Sequence, residues 1–226
     1  MSEGRRIAVI AGGVGAAKFL RGLLAVHPNQ LVTAVINVAD DFRLHGLAIS
    51  PDLDTVTYTL SGLVNPDTGW GRADESWRVK DELARLGGQT WFNLGDLDIA
   101  LHLYRTQRLS EGASLTEVTL ELCDKLGIEA TLLPASNEEI RTQLKVQNQG
   151  WVDFQDYFVA QQHNVVIEDL RFEGIEAANP GPEVISSLEK SDMIVIAPSN
   201  PFVSVRPVLE IPGVVDVLRQ RRTEVV

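Results

Sequence analysis

The first apolar run of the chain, Ile7-Ala8-Val9-Ile10-Ala11, is short, continuous and rich in β-branched residues, and it breaks at Gly12-Gly13-Val14-Gly15. That pattern predicts a buried strand entering a glycine turn. Phe19, Leu20, Leu23 and Leu24 then recur at helical spacing, Pro28-Asn29 closes the helix, and Leu31 to Val38 predicts a second strand. A β-α-β unit therefore opens the chain. Ser50-Pro51-Asp52-Leu53-Asp54 places an N-cap residue before a first-turn proline, which predicts a helix to about Leu60. A long loop over 65–78 leads to a helix at Trp77 to Leu86. Trp91 to Leu94 then predicts a strand that stops at Gly95-Asp96-Leu97-Asp98, with a helix from Ile99. Ser114 with Glu117, and Ser136 with Glu139, fit the capping box and predict two more helix starts.

Between 141 and 175 the period changes to alternation, as in Val165-Val166-Ile167 and Arg171-Phe172, which predicts β structure in an inserted unit. A helix at Pro182 to Leu188 follows. Met193 to Ala197 repeats the signature of the first strand and ends in Pro198-Ser199-Asn200-Pro201, and helix continues to Arg222. The expected fold is α/β: a Rossmann-like open parallel sheet with helices on both faces and an inserted smaller α+β subdomain. It forms one domain over 1–226, with the insertion at about 110–180. Strands near 7–11, 31–38, 91–94 and 193–197 are expected as parallel neighbours. Ligands of such sheets bind outside the carboxyl ends of the strands.

Composition narrows the function more than the fold. The 226 residues carry a net charge of −11, which disfavours nucleic acid and anionic lipid as partners. A phosphorylated ligand then needs local donors or a metal. The one cysteine, Cys123, excludes an intrachain disulfide and suits a reducing cytoplasm, and its helical setting among leucines predicts a core thiol. No apolar run approaches the roughly 20 residues of a membrane span.

The candidate chemistry lies in loops after strands. Gly12, Gly13 and Gly15 can turn the backbone so that N–H groups at a helix start face an anion, or they can simply reverse the chain. Lys18 occupies the place of the third glycine of a dinucleotide fingerprint, and the Walker lysine-hydroxyl spacing is absent. Three pairs of aspartates sit near predicted strand ends: Asp40 with Asp41, Asp52 with Asp54, and Asp96 with Asp98. Together they could hold Mg²⁺; separately, Asp52, Asp54, Asp96 and Asp98 are ordinary acids of a first helical turn. His102 lies one turn after Asp98, whereas His27, His45 and His163 share no metal spacing. Ser199 and Asn200 could donate to a ligand or serve only as turn residues.

These strings in combination resemble the 2-phospho-L-lactate transferase family of coenzyme F-420 biosynthesis. The resemblance rests on Ala11 to Gly15, Asn37 to Asp41, His45-Gly46-Leu47, Ser50 to Thr55, Gly69-Trp70-Gly71, Trp91 to Asp96 and Ala197 to Pro201, and runs from residue 7 to about 219. It implies transfer of a phospholactyl or phosphoenolpyruvyl group from a guanosine diphosphate-linked donor to a hydroxyl of the deazaflavin Fo. It further implies release of GMP, a requirement for Mg²⁺ and a homodimer. On that basis Gly12, Gly13, Gly15, Lys18, Ser199 and Asn200 are expected at the donor, Asn93 and His102 at substrate, and Asp54 as the catalytic carboxylate on a solvent-facing helix start. Asp40, Asp41, Asp52, Asp96 and Asp98 are the expected metal ligands. Leu97 stands where many members have a basic residue, and Asp153 stands before Phe154-Gln155 where many have histidine. Family members also continue past Val226, so part of the donor cradle is expected to lie beyond it. A related group of regulatory proteins that binds nucleotide sugars is the alternative; an NAD(P) oxidoreductase is the third reading.

Overall fold

The computed structural model describes residues 4–154, 157 and 166–226; Gln155, His163 and Val165 lie outside them. Four parallel strands make the central sheet: β1 (Ile7–Ala11), β2 (Val32–Ile36), β5 (Thr131–Pro134) and β9 (Met193–Ile196), in the order β5-β2-β1-β9. In register, Ile7 faces Val32 on one side and Met193 on the other. All five residues of β1 are buried, so both faces of the sheet are covered, as a parallel strand with apolar residues on both sides requires. Among the described residues the helices include α1 (Gly13–Leu24), α2 (Pro51–Leu60), α3 (Arg78–Arg85), α4 (Asp96–Ser110), α5 (Leu115–Lys125), α6 (Val184–Lys190), α7 (Arg206–Glu210) and α8 (Val214–Gln220). Asn200 opens a π-helical turn, Pro201–Val205, by accepting from the Phe202 and Val203 amides. Glu224 to Val226 run beside β9, where the Ile194 and Ile196 amides donate to the Glu224 and Val226 carbonyls.

Two expected elements are replaced. Trp91 to Leu94 is not a strand. The Trp91 and Phe92 rings pack on each other and on Phe42, with centroids 5.0–5.7 Å apart. They form a cluster with β3 (Phe42–Leu44) and β4 (Leu47–Ile49), an antiparallel hairpin beside the main sheet. Ring contacts thus bury this apolar run without a sheet ladder. The fourth sheet member is instead Thr131–Pro134, paired with Thr33 to Ile36. The capping box at Ser114 and Glu117 forms as expected, but Ser136 starts no helix. Its hydroxyl lies within hydrogen-bond distance of both Asn179 O, at 2.7 Å, and Glu138 Oε2, at 2.6 Å, and tethers the entry to β6 (Arg141–Val146). β6 lies between β7 (Gly150–Asp153) and β8 (Ile167–Glu173) in a separate antiparallel sheet. Residues 115–134 therefore supply α5 and β5 to the main layer, and the small sheet occupies 141–173. Cys123 is buried, and burial pushes its thiol up to about 12. Among the described residues no helix is long and apolar enough to cross a membrane.

Candidate active site

The strand order reverses between β1 and β9, and the loops after these two strands meet there. Gly15 packs directly on the loop after β9: a Cβ at that position would come within 2.0 Å of the Pro198 carbonyl oxygen. Gly12 is equally confined, since a Cβ would meet Asp52 Oδ2 at 2.7 Å and Ser204 Cβ at 2.8 Å. Gly13 adopts φ +65°, which favours glycine. The start of α1 thus faces the carboxylate of Asp52, which accepts from the Gly13 amide and, at 2.9 Å, from Asn37 Nδ2. Two of the three glycines are explained by close packing rather than by room for a phosphate. Gly15→Ala should cost about 1–3 kcal/mol in urea unfolding, because the carbonyl it strikes is backbone; a loss under about 0.5 kcal/mol would show that the loops separate freely. Lys18 is exposed, with its side chain against Gly69 of the long loop. The enclosed Ser199 Oγ has no hydrogen-bond partner, whereas Asn200 Oδ1 is taken up by the π turn.

Three aspartates gather at the carboxyl end of β2. Asp41 accepts from Ser50 Oγ at 2.7 Å, and its enclosed Oδ1 has no partner. Asp40 accepts from Thr142 Oγ1 at 3.1 Å. Burial and then the charge of Asp52 raise the Asp40 carboxyl well above its usual range; burial likewise raises Asp41. Asp52 is pushed up to about 6 by burial, against the lowering effect of Asn37 and the Gly13 amide. All three carboxylates are thus costly to ionise as they stand.

A second group lies between α2 and α4. Asp54, Tyr58, Asp98, His102 and Arg105 are all buried, with Asp54 5 % and Arg105 2 % exposed. The Arg105 guanidinium grips both oxygens of Asp54. Arginine has only donors, so its Nη1 contact of 3.2 Å to His102 Nδ1 makes that nitrogen an acceptor. The ring proton then sits on Nε2, which faces Asp98 Oδ1 at 3.3 Å. Tyr58 also donates to that oxygen, at 2.5 Å. Burial acts to raise the Asp98 carboxyl, but His102, Tyr58 and Arg105 together hold it below its usual range. The Tyr58 hydroxyl is driven far above its ordinary value by burial and by Asp54 and Asp98.

Asp54, Tyr58, Asp98 and His102 of this group form the floor of a cleft of about 600 Å³. Trp70, Trp91 and Phe92 wall it, and Asn93 lines it as well. Asp54 is therefore not on a solvent-facing helix start: the opposing face of α4 covers it. Asp96 departs from the expected metal set. It is half-buried at most, and its carboxylate takes Ser76 Oγ at 2.5 Å and the Val79 amide at 3.1 Å, fastening α3 to the start of α4. Among the described residues no group of three or more His, Cys, Asp or Glu is arranged to hold a metal ion. The expected five-aspartate set is divided between the end of β2, the start of α2 and the start of α4. Tyr58 and Arg105 were not among the expected site residues. Their signal was helical spacing: Asp54 and Tyr58 are four apart, and Asp98, His102 and Arg105 follow i, i+4, i+7.

A phosphoenolpyruvate transferase of Streptomyces griseus is 42% identical over 225 residues, covering 98% of this chain and 71% of its own length. One from Mycobacterium ulcerans is 41% identical, covering 98% and 72%. A solved structure of a Bacillus halodurans protein of the UPF0052 family shares the fold at a TM-score of 0.67 and 23% identity, over 97% of this chain and 67% of that one. The family model described as 2-phospho-L-lactate transferase CofD matches residues 7–226, and the chain belongs to that family.

Proposed function

We propose that the protein transfers a phosphoenolpyruvyl or phospholactyl group from a guanosine diphosphate-linked donor to the hydroxyl of the deazaflavin Fo, and that GMP leaves. The observation that carries this reading is the 600 Å³ aromatic-walled cleft whose floor is Asp54, Asp98 and His102. Flat heteroaromatic rings stack on indole and phenyl faces, and a hydroxyl reaching the floor meets carboxylates. The names of the relatives from Streptomyces griseus and Mycobacterium ulcerans support the transferred group. The donor belongs at the meeting of the β1 and β9 loops, where Ser199 Oγ offers an unused hydrogen-bonding group.

In the proposed step the acceptor oxygen bonds to the phosphorus that carries the three-carbon acid. The bond from that phosphorus to the bridging oxygen breaks, and this oxygen leaves with GMP. The hydroxyl proton passes to Asp54, whose Oδ1 accepts from Arg105 and keeps one lone pair unused. A loose phosphoryl-type transition state asks little of its base. Asp98 orients the hydroxyl, and His102 and Arg105 hold both carboxylates in place. Magnesium fits the other carboxylates: Asp41 has an enclosed oxygen without a partner, and Asp40 and Asp52 repel each other. Such an ion takes one or two carboxylates and completes its shell with water and donor oxygens. When bound it would neutralise charge on the diphosphate. We also propose a homodimer and a cytoplasmic location.

Calorimetric titration with Fo, GDP, a uridine diphosphate sugar and NAD, each with and without Mg²⁺, checks the reading. Fo and GDP should bind, GDP more tightly with the metal. Binding of the nucleotide sugar without Fo would replace the transferase with a regulatory sensor.

A further inference from the structure

Arg72 closes the long loop, where it pairs with Val64 in an isolated antiparallel bridge. Its guanidinium carbon stands 5.5 Å from the centre of the Tyr58 ring. Its Nε is enclosed and has no hydrogen-bond partner, and the ion pairs among the described residues leave it out. The nearest acid in sequence apart from Asp74 is Glu75, whose two oxygens are occupied by the Leu97 and Asp98 amides at 2.8 Å each. A buried guanidinium N–H without a partner is costly, and in native proteins such a group points to a ligand or a water. The adjacent cavity, about 430 Å³, is lined by Arg72 with Asn65, Thr68, Trp70, Asn93 and Asp98. Trp70, Gly71, Asn93 and Asp98 also line the 600 Å³ cleft, so the two spaces share a wall.

We infer that Arg72 binds the carboxylate of the three-carbon acid in the transferred group, an inference that rests on the transferase reading above. The reacting phosphorus must lie near Asp54 and Asp98, and the acid's carboxylate is only three bonds from it. It therefore projects into a neighbouring space, and the cavity beside Asp98 is such a space. The cation–π contact with Tyr58 restrains the guanidinium, and the edge of a guanidinium makes paired hydrogen bonds that suit a planar carboxylate. The cavity also contains Asp74, Glu75 and Asp98. Those charges favour a single negative charge over a doubly charged phosphate.

The test is calorimetry on wild type, Arg72→Gln and Arg72→Lys with the guanosine diphosphate-linked phosphoenolpyruvyl donor, GDP and Fo, all with Mg²⁺. Arg72→Gln should weaken the donor about tenfold or more and leave GDP and Fo unchanged. Arg72→Lys keeps the charge but loses the fork, so its loss should be smaller. Equal weakening of donor and GDP would overturn the inference and put Arg72 on the diphosphate. No change in any ligand would also overturn it, leaving Arg72 as a cation–π partner of Tyr58. Loss of Fo binding alone would move Arg72 to the acceptor and overturn it too. If wild type binds none of the three, the transferase reading itself fails and takes the inference with it. Melting temperatures check folding; should the glutamine variant unfold, the lysine variant carries the comparison.

Discussion

Arg105→Leu should destabilise the protein by about 3–5 kcal/mol in urea unfolding, the usual cost of leaving one member of a buried ion pair without its partner. Both Asp54 oxygens accept from this guanidinium, and Asp54 and Arg105 are nearly inaccessible to water. Arginine also fixes His102 through Nδ1, so the variant frees the ring to present either nitrogen to Asp98. Asp54→Asn should cost less, because an amide keeps an acceptor oxygen for Arg105, yet it should abolish transfer. The double variant Asp54→Leu with Arg105→Leu should recover most of the stability and none of the activity. A loss below about 1 kcal/mol for Arg105→Leu would show that water reaches the pair and that it behaves as a surface salt bridge.

The same pair shows which features were legible in the sequence. β1 and β9 are continuous β-branched runs ending in glycine or proline, so their existence and their parallel pairing were readable. Trp91 to Leu94 and Thr131 to Pro134 are both four-residue stretches with one polar member each, Asn93 and Thr131, and periodicity cannot separate a strand from a packed aromatic turn at that length. Phe42 decides the first case by supplying a third ring, and β2 decides the second by offering its open edge. In the site, Asp52 and Asp54 announced themselves by position, two residues apart at a helix start. Their different fates did not show. In the helix Asp52 turns to the Gly13 amide and Asn37, whereas Asp54 turns to α4. Only the packing of α2 against neighbours on both sides makes one an anchor for the glycine turn and the other a member of the cleft floor. Arg72 and Arg105 are not legible in the sequence for a related reason. An arginine is an ordinary surface residue in sequence, and its meaning depends on whether a carboxylate or a cavity meets it.

The carboxylates at the end of β2 should make stability fall as the pH rises, in a way that Mg²⁺ reverses. Asp52 in the folded chain titrates near 6, above the ordinary 3.8, so between those values the folded state holds more protons than the unfolded state. Stability from this group is therefore full below about pH 4 and declines as pH rises towards 6. A shift of this size corresponds to roughly 2–3 kcal/mol. Asp98 has the opposite sign: its carboxyl is lowered, so it contributes above its ordinary range and loses that contribution in acid. Comparison with Asp52→Asn separates the two, because the variant retains Asp98. The difference in unfolding free energy, variant minus wild type, should rise by roughly 2–3 kcal/mol between pH 4 and pH 7, through the window set by Asp52. Asn cannot ionise, and its amide still offers an acceptor to Asn37 or the Gly13 amide. At pH 7, adding Mg²⁺ should raise the melting temperature of wild type and leave Asp52→Asn nearly unmoved, since an ion that binds only the folded carboxylates stabilises by mass action. A flat difference curve would mean that water reaches Asp52. A rising curve with no response to Mg²⁺ would keep the electrostatics and take the metal away from this group of aspartates.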